Sequence, residues 1–318
     1  MLEKYLKTLL NGGVEERNLG DLAEGMARFH SGDFAEALPL LLRAIEQHAD
    51  DFQALFAIAK IYFVHGQHED ALPYLKRALA LDGKHGELHF TLAEIYAAQP
   101  DLDSANYHYQ KAVYCDPEFT DAFIRLGCLQ VRQNQCEEAI KSFERAIFLD
   151  RTAVVARYEL ARTCYRLGDS RRALTQLHLV RELQDSYAPV YALQGEIFSQ
   201  LGDWRQAILE LERAHSLGPA TINSSYHLGM ACQALGEFDK AVRAYGRLLE
   251  LDPGHHLAHH RLAQLHERSN RVDLARTHYQ VVLQVPEFQE DAMQALVRLD
   301  AFEAAVSRTM SGSEDSSS

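Results

Sequence analysis

The sequence predicts an all-α fold, a linear array of eight helix–turn–helix repeats closed by one more helix at the C-terminus. Three observations lead to this fold. Apolar residues recur at helical spacing, the pattern returns every 34 residues, and three columns of the repeat hold side chains of restricted size. Repeats of this length cannot bury their apolar faces alone, so we expect them to stack around one continuous core without internal domain boundaries.

The clearest copy of the repeat runs from Tyr226 to Pro253. Apolar residues at helical spacing predict two short helices, and Gly236 provides the turn between them. Asp252 ends the second helix, because the residue before a proline is pushed out of helical geometry. The eight repeats begin at Asn18, Phe52, Gly86, Thr120, Val154, Ala188, Ile222 and His256.

Three columns test this register, because small residues are needed wherever two helix backbones approach closely. The eighth position is glycine or alanine in every repeat, and the twenty-fourth is always a large residue that can fill the space between helices. The twentieth position is always alanine: Ala37, Ala71, Ala105, Ala139, Ala173, Ala207, Ala241 and Ala275. A coincidence of three columns over eight copies is not credible.

On these residues the chain resembles the tetratricopeptide repeat family. The resemblance covers residues 18–289 and implies a right-handed α-solenoid, a superhelix of eight repeats. It also implies that the first helices form a concave groove that holds a peptide or helix of a partner protein. Positions 2, 5, 6, 9, 12 and 13 of each repeat would face this groove.

The two ends of the chain lie outside the repeats. Residues 1–17 predict an amphipathic helix followed by the breaker Asn11-Gly12-Gly13, and this helix either covers the first repeat as a cap or docks into a groove. Residues 290–306 predict a C-terminal capping helix. Residues 307–318 are rich in serine and too polar to fold, so we expect a disordered tail.

The groove positions divide into an apolar part and a basic part. Repeats one to three place mostly apolar side chains there, which include Leu22, Met26, Phe29, Phe56, Phe63, Val64 and Phe90. A contiguous apolar patch of this kind indicates a surface that a partner covers. Repeats four and five place arginines beside tyrosines there: Arg125, Arg132, Tyr158, Arg162, Tyr165 and Arg166. Arginine beside aromatic residues is the composition of binding hot spots.

An alternative interpretation is that these arginines only balance nearby acids. Asp121 and Arg125 are four residues apart, and Glu159 and Arg162 are three apart, so each pair could form along one helix. Arg132 and Arg166 occupy the same position of adjacent repeats and have no evident partner at such a spacing. These two are therefore the best candidates to bind acidic groups of a partner.

The charge distribution supports an acidic protein partner and opposes nucleic acid. The net charge is -13, whereas a surface that reads phosphates needs an excess of Lys and Arg. Repeats four and five contain 9 acidic and 11 basic residues, so the middle of the array is basic, whereas repeats one to three contain 16 and 7. No apolar run is long enough to span a membrane, and the charged N-terminal segment does not fit a signal peptide. We expect a cytoplasmic protein.

No motif indicates catalysis, a cofactor or a metal centre. The sequence has no phosphate-binding loop, and His266-Glu267 lacks the second histidine of a zinc-protease helix, because residue 270 is asparagine. The segment HHLAHH could place His255 with His259, or His256 with His260, on one helix face, but no further ligand follows at a usual spacing. The five cysteines are scattered and predict reduced thiols. Cys128 lies at a groove position, either as a small apolar filler or as a thiol that the arginines activate.

The sequence therefore predicts a non-catalytic scaffold for protein–protein interaction, with a self-assembling scaffold as the main rival. Self-assembly would use the N-terminal amphipathic helix and the apolar groove of repeats one to three. If so, deletion of residues 1–13 should convert an oligomer into a monomer in light scattering. A full-length protein that is monomeric at high concentration would exclude this mode of assembly.

Overall fold

The computed structural model describes residues 16–314, and the side chains of residues 20–305. This part of the chain contains seventeen helices and no strand. The helices are α1 Glu16–Ser31, α2 Phe34–Gln47, α3 Phe52–Val64, α4 His68–Leu81, α5 Gly86–Ala98, α6 Leu102–Cys115, α7 Thr120–Arg132, α8 Cys136–Leu149, α9 Val154–Arg166, α10 Ser170–Leu183, α11 Ala188–Gln200, α12 Trp204–Leu217, α13 Ile222–Ala234, α14 Phe238–Leu251, α15 His256–Arg268, α16 Val272–Val282 and α17 Pro286–Glu314. Across the described range, no helix is long and apolar enough to cross a membrane.

The helices pack as consecutive pairs within two compact units, Met1–Thr163 and Cys164–Ser318. In the first compact unit, α3 packs on α4, α5 on α6 and α7 on α8, while α2 contacts α3, α4 contacts α5 and α6 contacts α7. The second compact unit repeats this order from α11 to α16. The predicted all-α solenoid of helix pairs is confirmed.

A residue in the left-handed conformation joins the two helices of most repeats. Gly66 has a φ of 73° and Gly236 a φ of 78°, values that glycine adopts without a steric penalty. Asn134 and Asn270 take the same place with φ of 62° and 53°. Asparagine is among the residues that tolerate this region best, so it can replace the turn glycine without breaking the repeat.

The three columns of the repeat meet where the two helices of a pair cross. All eight alanines at position twenty are completely buried. A Cβ atom added to Gly229 would lie 2.5 Å from a ring atom of Tyr245, and one added to Gly195 would lie 2.4 Å from Leu211 Cγ. These four residues are positions eight and twenty-four of repeats seven and six. The close approach explains why the eighth position is small wherever the twenty-fourth is large.

The C-terminal helix α17 covers the last repeat. It packs on α16 and α15 and buries Ala292, Ala295 and Leu299, whereas Phe302 on the same helix is exposed. The helix begins at Pro286, earlier than the predicted cap over 290–306, and continues to Glu314 within the predicted serine-rich tail. The predicted N-terminal helix over residues 2–10 lies outside the described residues, and its role as a cap or a docking element stays a prediction.

The helix crossing of repeat seven generates a matched pair of substitutions. Gly229→Ala should lower the free energy of unfolding by about 1–3 kcal/mol, because its new methyl group would overlap the Tyr245 ring. Gly246→Ala, in the second helix of the same pair, meets no atom within 4 Å and should stabilise by roughly 0.5–1 kcal/mol through helix propensity. Chemical denaturation measures both values. Equal effects of the two substitutions would contradict the close contact between Gly229 and Tyr245.

Candidate functional site

The candidate site lies on the surface formed by α3, α5, α7 and the part of α9 up to Thr163, here called the first-helix face. In the first compact unit, α1 contacts α3 and α3 contacts α5. Among the described residues, no comparable contact joins the second helices of successive repeats. First helices are thus the more closely spaced set, and their side chains from neighbouring repeats can act together.

The apolar part of this face is smaller than the sequence predicts, because Phe56 is a core residue. Its ring is 9% exposed and stacks on Phe52 at 5.9 Å and packs edge-on against His85 at 5.1 Å. Phe63 and Phe90 are only half-buried, so they do offer ring surface to a partner. Phe90 also packs against Phe119 at 4.9 Å, which fixes its orientation.

Val64 adds an aliphatic side chain at the end of α3 that is 59% exposed. The accessible apolar surface therefore consists mainly of Phe63, Val64 and Phe90.

The basic part of the face is built from ion pairs with glutamates of the first helices. Arg125 on α7 lies 3.5 Å from Glu94 on α5, so its partner is not Asp121 on its own helix. Arg162 pairs with Glu159 at 3.0 Å, as the spacing along α9 predicts, and its guanidinium lies 5.9 Å from the Tyr158 ring. Two carboxylates thus hold two of the predicted arginines in defined positions.

Glu94 was missed by the sequence analysis although it occupies a groove position of repeat three. Its second interaction is with Tyr109, whose hydroxyl donates a hydrogen bond to the Glu94 carboxylate. Burial raises the pKa of Tyr109, so the phenol stays protonated and remains a donor. An acidic residue at a groove position was the available signal.

The remaining predicted residues differ in their surroundings. Arg132, at the end of α7, is exposed and forms no ion pair with any residue that the structure describes. Arg166 is also exposed, but it does interact with a neighbouring group, which corrects the expectation that it lacks a partner. Tyr165 is half-buried, and burial together with the charge of Glu196 raises its pKa to about 12. Tyr165 and Arg166 belong to the second compact unit, whereas Arg132 belongs to the first.

Cys128 lies among the charged residues of this face without being activated by them. Burial raises the pKa of its thiol to about 11, and the charge of Glu159 acts in the same direction. Arg125 and Arg162 act in the opposite direction but do not compensate for burial. The alternative of an activated thiol is therefore wrong, and Cys128 packs as a small apolar side chain.

The histidines of HHLAHH do not form the pairs that their spacing allows, His255 with His259 or His256 with His260. His255 Nδ1 accepts a hydrogen bond from the backbone N–H of Ala258, and His260 Nε2 lies 2.6 Å from a carboxylate oxygen of Asp291. His259 instead turns towards His278 on α16. Within the described ranges, no group of three or more His, Cys, Asp or Glu side chains could hold a metal ion.

Comparison with known proteins agrees with this architecture. The family described as Tetratricopeptide repeat matches residues 22–84, 57–118, 124–181 and 226–292, which together cover more than half of the chain. The chain belongs to the tetratricopeptide repeat family. This family assignment and the solenoid fold support a protein–protein interaction scaffold. No curated protein sequence matches the chain with significance.

Solved structures show the same fold at low sequence identity. The Cut9–Hcn1 hetero-tetramer of the APC/C is 18% identical, with a TM-score of 0.59 over 84% of this chain and 52% of the other. PilF of Pseudomonas aeruginosa is 18% identical, with a TM-score of 0.57 over 64% of this chain and 92% of PilF. YrrB is 22% identical, with a TM-score of 0.53 over 62% of this chain and 97% of YrrB. At these identities the likeness concerns the fold alone.

The raised pKa of Cys128 predicts a thiol that alkylates slowly. At pH 7.5 its rate with iodoacetamide should be roughly two orders of magnitude below that of an unperturbed cysteine, because the thiolate is the reactive form. Peptide mapping by mass spectrometry over a time course measures this rate, with the protein unfolded in denaturant as the control. Equal labelling of Cys128 in the folded and unfolded protein would contradict the buried, unactivated thiol.

Proposed function

We propose that this protein is a non-catalytic scaffold whose first-helix face holds a peptide or helix of a partner protein that carries apolar and acidic groups. The observation that supports this proposal is the order of the apolar and basic parts along the first-helix face. Exposed or partly exposed apolar side chains of α3 and α5 are followed by arginines on α7 and α9 whose side chains remain about half exposed. A partner segment with apolar groups at one end and carboxylates at the other matches this order.

The apolar part would contribute most of the affinity. Burial of nonpolar surface contributes roughly 25 cal/mol per Å², and it has little directional preference. Phe63, Val64 and Phe90 offer such surface, whereas Phe56 contributes by holding α3 in place rather than by contact with a partner.

The arginines would fix the orientation of the partner. A guanidinium carries five N–H donors, so Arg125 and Arg162 keep donors free after they bind Glu94 and Glu159. Arg132 has its whole guanidinium available to a carboxylate, which it can bind through two parallel hydrogen bonds. Tyr165 and Arg166 remain candidates for a similar contact on the second compact unit.

Two further observations fit this proposal. YrrB, which has a similar fold, is described as a TPR protein with an unusual peptide-binding site. All five cysteines are free thiols, which fits a reducing compartment such as the cytoplasm. We also infer that the protein is not an enzyme, since its family generally acts through binding.

Charge reversal at Arg132 tests the proposal. Immobilised protein should lose its specific partners from cell extract when it carries Arg132→Glu, because a partner carboxylate would then meet a like charge. Lys141→Glu is the matched control, because it reverses an exposed charge on the second helix of the same repeat. Circular dichroism and thermal melting should be the same for both variants. If the Arg132→Glu protein retains every partner of the parent, the arginine is only a solvated charge.

The apolar part of the face has its own test. Val64→Ser should weaken capture without changing its dependence on salt, because the lost contact is nonpolar. Capture is measured over a range of NaCl concentrations for the parent and the variant. A steeper or flatter salt dependence for Val64→Ser would show that this end of the face binds through charge.

A further inference from the structure

Repeats three and eight contain the same histidine pair. His89 Nδ1 lies 3.0 Å from His108 Nδ1, and His259 Nδ1 lies 2.8 Å from His278 Nδ1. In both pairs the first histidine is at position 4 and the second at position 23 of the repeat. No other repeat has histidine at either position. The two pairs are therefore one arrangement that occurs twice, and they can be compared directly.

The hydrogen bonds around His259 define which nitrogen carries its proton. His259 Nε2 lies 3.0 Å from the carbonyl oxygen of Pro253, and a carbonyl can only accept, so Nε2 bears the hydrogen. In the neutral ring, Nδ1 is then a lone pair, and the Nδ1–H of His278 donates to it. The two Nδ1 atoms therefore face each other across 2.8 Å, with one hydrogen between them.

We propose that His259 and His278 form a binding site for a divalent transition-metal ion of the zinc class, each ligating through Nδ1. Zinc–nitrogen bonds of about 2.0–2.1 Å at a tetrahedral angle place two nitrogens about 3.3–3.4 Å apart. The present 2.8 Å separation needs to open by about half an ångström. Metal-bound histidines typically donate their other N–H to a carbonyl, as His259 already does to Pro253.

Binding of the ion needs no net loss of a proton. The hydrogen on His278 Nδ1 moves to its Nε2, and both rings then ligate as neutral imidazoles. Within the described residues no third His, Cys, Asp or Glu completes the set, so water fills the remaining positions.

Two differences favour the pair in repeat eight over the pair in repeat three. His89 and His108 are 3% and 9% exposed and leave no room for water ligands, whereas His259 and His278 are half-buried. The ring that stacks on His108 is Tyr96, but the ring that stacks on His278 at 5.6 Å is His266.

His266 also provides a further hydrogen-bond acceptor. It is 5% exposed, and its buried Nδ1 has no hydrogen-bond partner among the described residues. Because the His266 ring lies against the ring of His278, this nitrogen is available to hydrogen-bond a water that the pair holds.

Zinc titration of the untagged full-length protein tests this site, with isothermal calorimetry or a chromophoric chelator as the readout. The parent protein should bind one Zn²⁺ saturably at pH 7.5, and His278→Gln should weaken binding at least tenfold. His108→Gln is the matched control, since it removes the same partner of the enclosed pair, and it should leave zinc binding unchanged. His256→Ala, which removes an exposed histidine of HHLAHH, should also have no effect.

Equal effects of His278→Gln and His108→Gln, or the absence of saturable binding, would overturn the proposal. If His278→Gln fails to fold, correlation spectra of imidazole ¹H and ¹⁵N nuclei in the parent protein decide the question. Zinc must then shift the nitrogen resonances of His259 and His278 and leave those of His89 and His108 in place. Shifts confined to exposed histidines such as His256 would show adventitious binding only.

Discussion

The two helices of each repeat cross at a point where neither can carry a large side chain. Alanine at position twenty is completely buried in every repeat, and position eight is glycine or alanine. Because the backbones approach so closely, the large residue at position twenty-four lies directly over the small one, as Tyr245 lies over Gly229. This packing fixes the spacing within a pair, and the spacing within a pair sets where the next pair can stack. The array depends on this contact more than on any charged interaction.

The ion pair between Glu94 and Arg125 on the first-helix face is a consequence of this stacking. Glu94 and Arg125 are 31 positions apart in sequence and meet because α5 and α7 belong to successive repeats. Exposed ion pairs contribute only about 0–1 kcal/mol to stability, so the loss of such a pair costs the fold little. A partner carboxylate can therefore compete for these arginines without unfolding the repeats. The ion pairs hold guanidinium groups in place on a surface that also presents apolar side chains.

The two histidine pairs show how one arrangement acquires different chemistry from its surroundings. In repeat three the pair is enclosed and a tyrosine stacks on it, so the hydrogen bond between the rings is a packing interaction. In repeat eight the same geometry lies nearer to solvent, and the stacked ring is a third imidazole. Burial keeps His108 and His278 neutral in both cases, but only the more open pair leaves space around its nitrogens. The two histidine pairs therefore differ in their access to water and not in the residues that form them.

The sequence by itself determined the helix pairs, their period, the turn residues and the small crossing positions. These features depend on residues within one repeat, and each was visible as a column: Gly236 in the turn, Ala241 at the crossing and Tyr245 above it. For the same reason, seven of the first helices begin at the first residue of their repeat. The Glu159–Arg162 pair could be predicted because both residues lie on one helix.

Only the tertiary structure decided which side chains from different helices meet. Helical spacing favoured Asp121 as the partner of Arg125, but the stacking of repeats places Glu94 closer. Phe56 occupies a groove position in the repeat and is nevertheless buried, because neighbouring rings close over it. The His259–His278 contact joins α15 to α16 across nineteen residues, so no local pattern announces it. Each of these outcomes depends on distances between separate helices, which the order of residues along one helix does not specify.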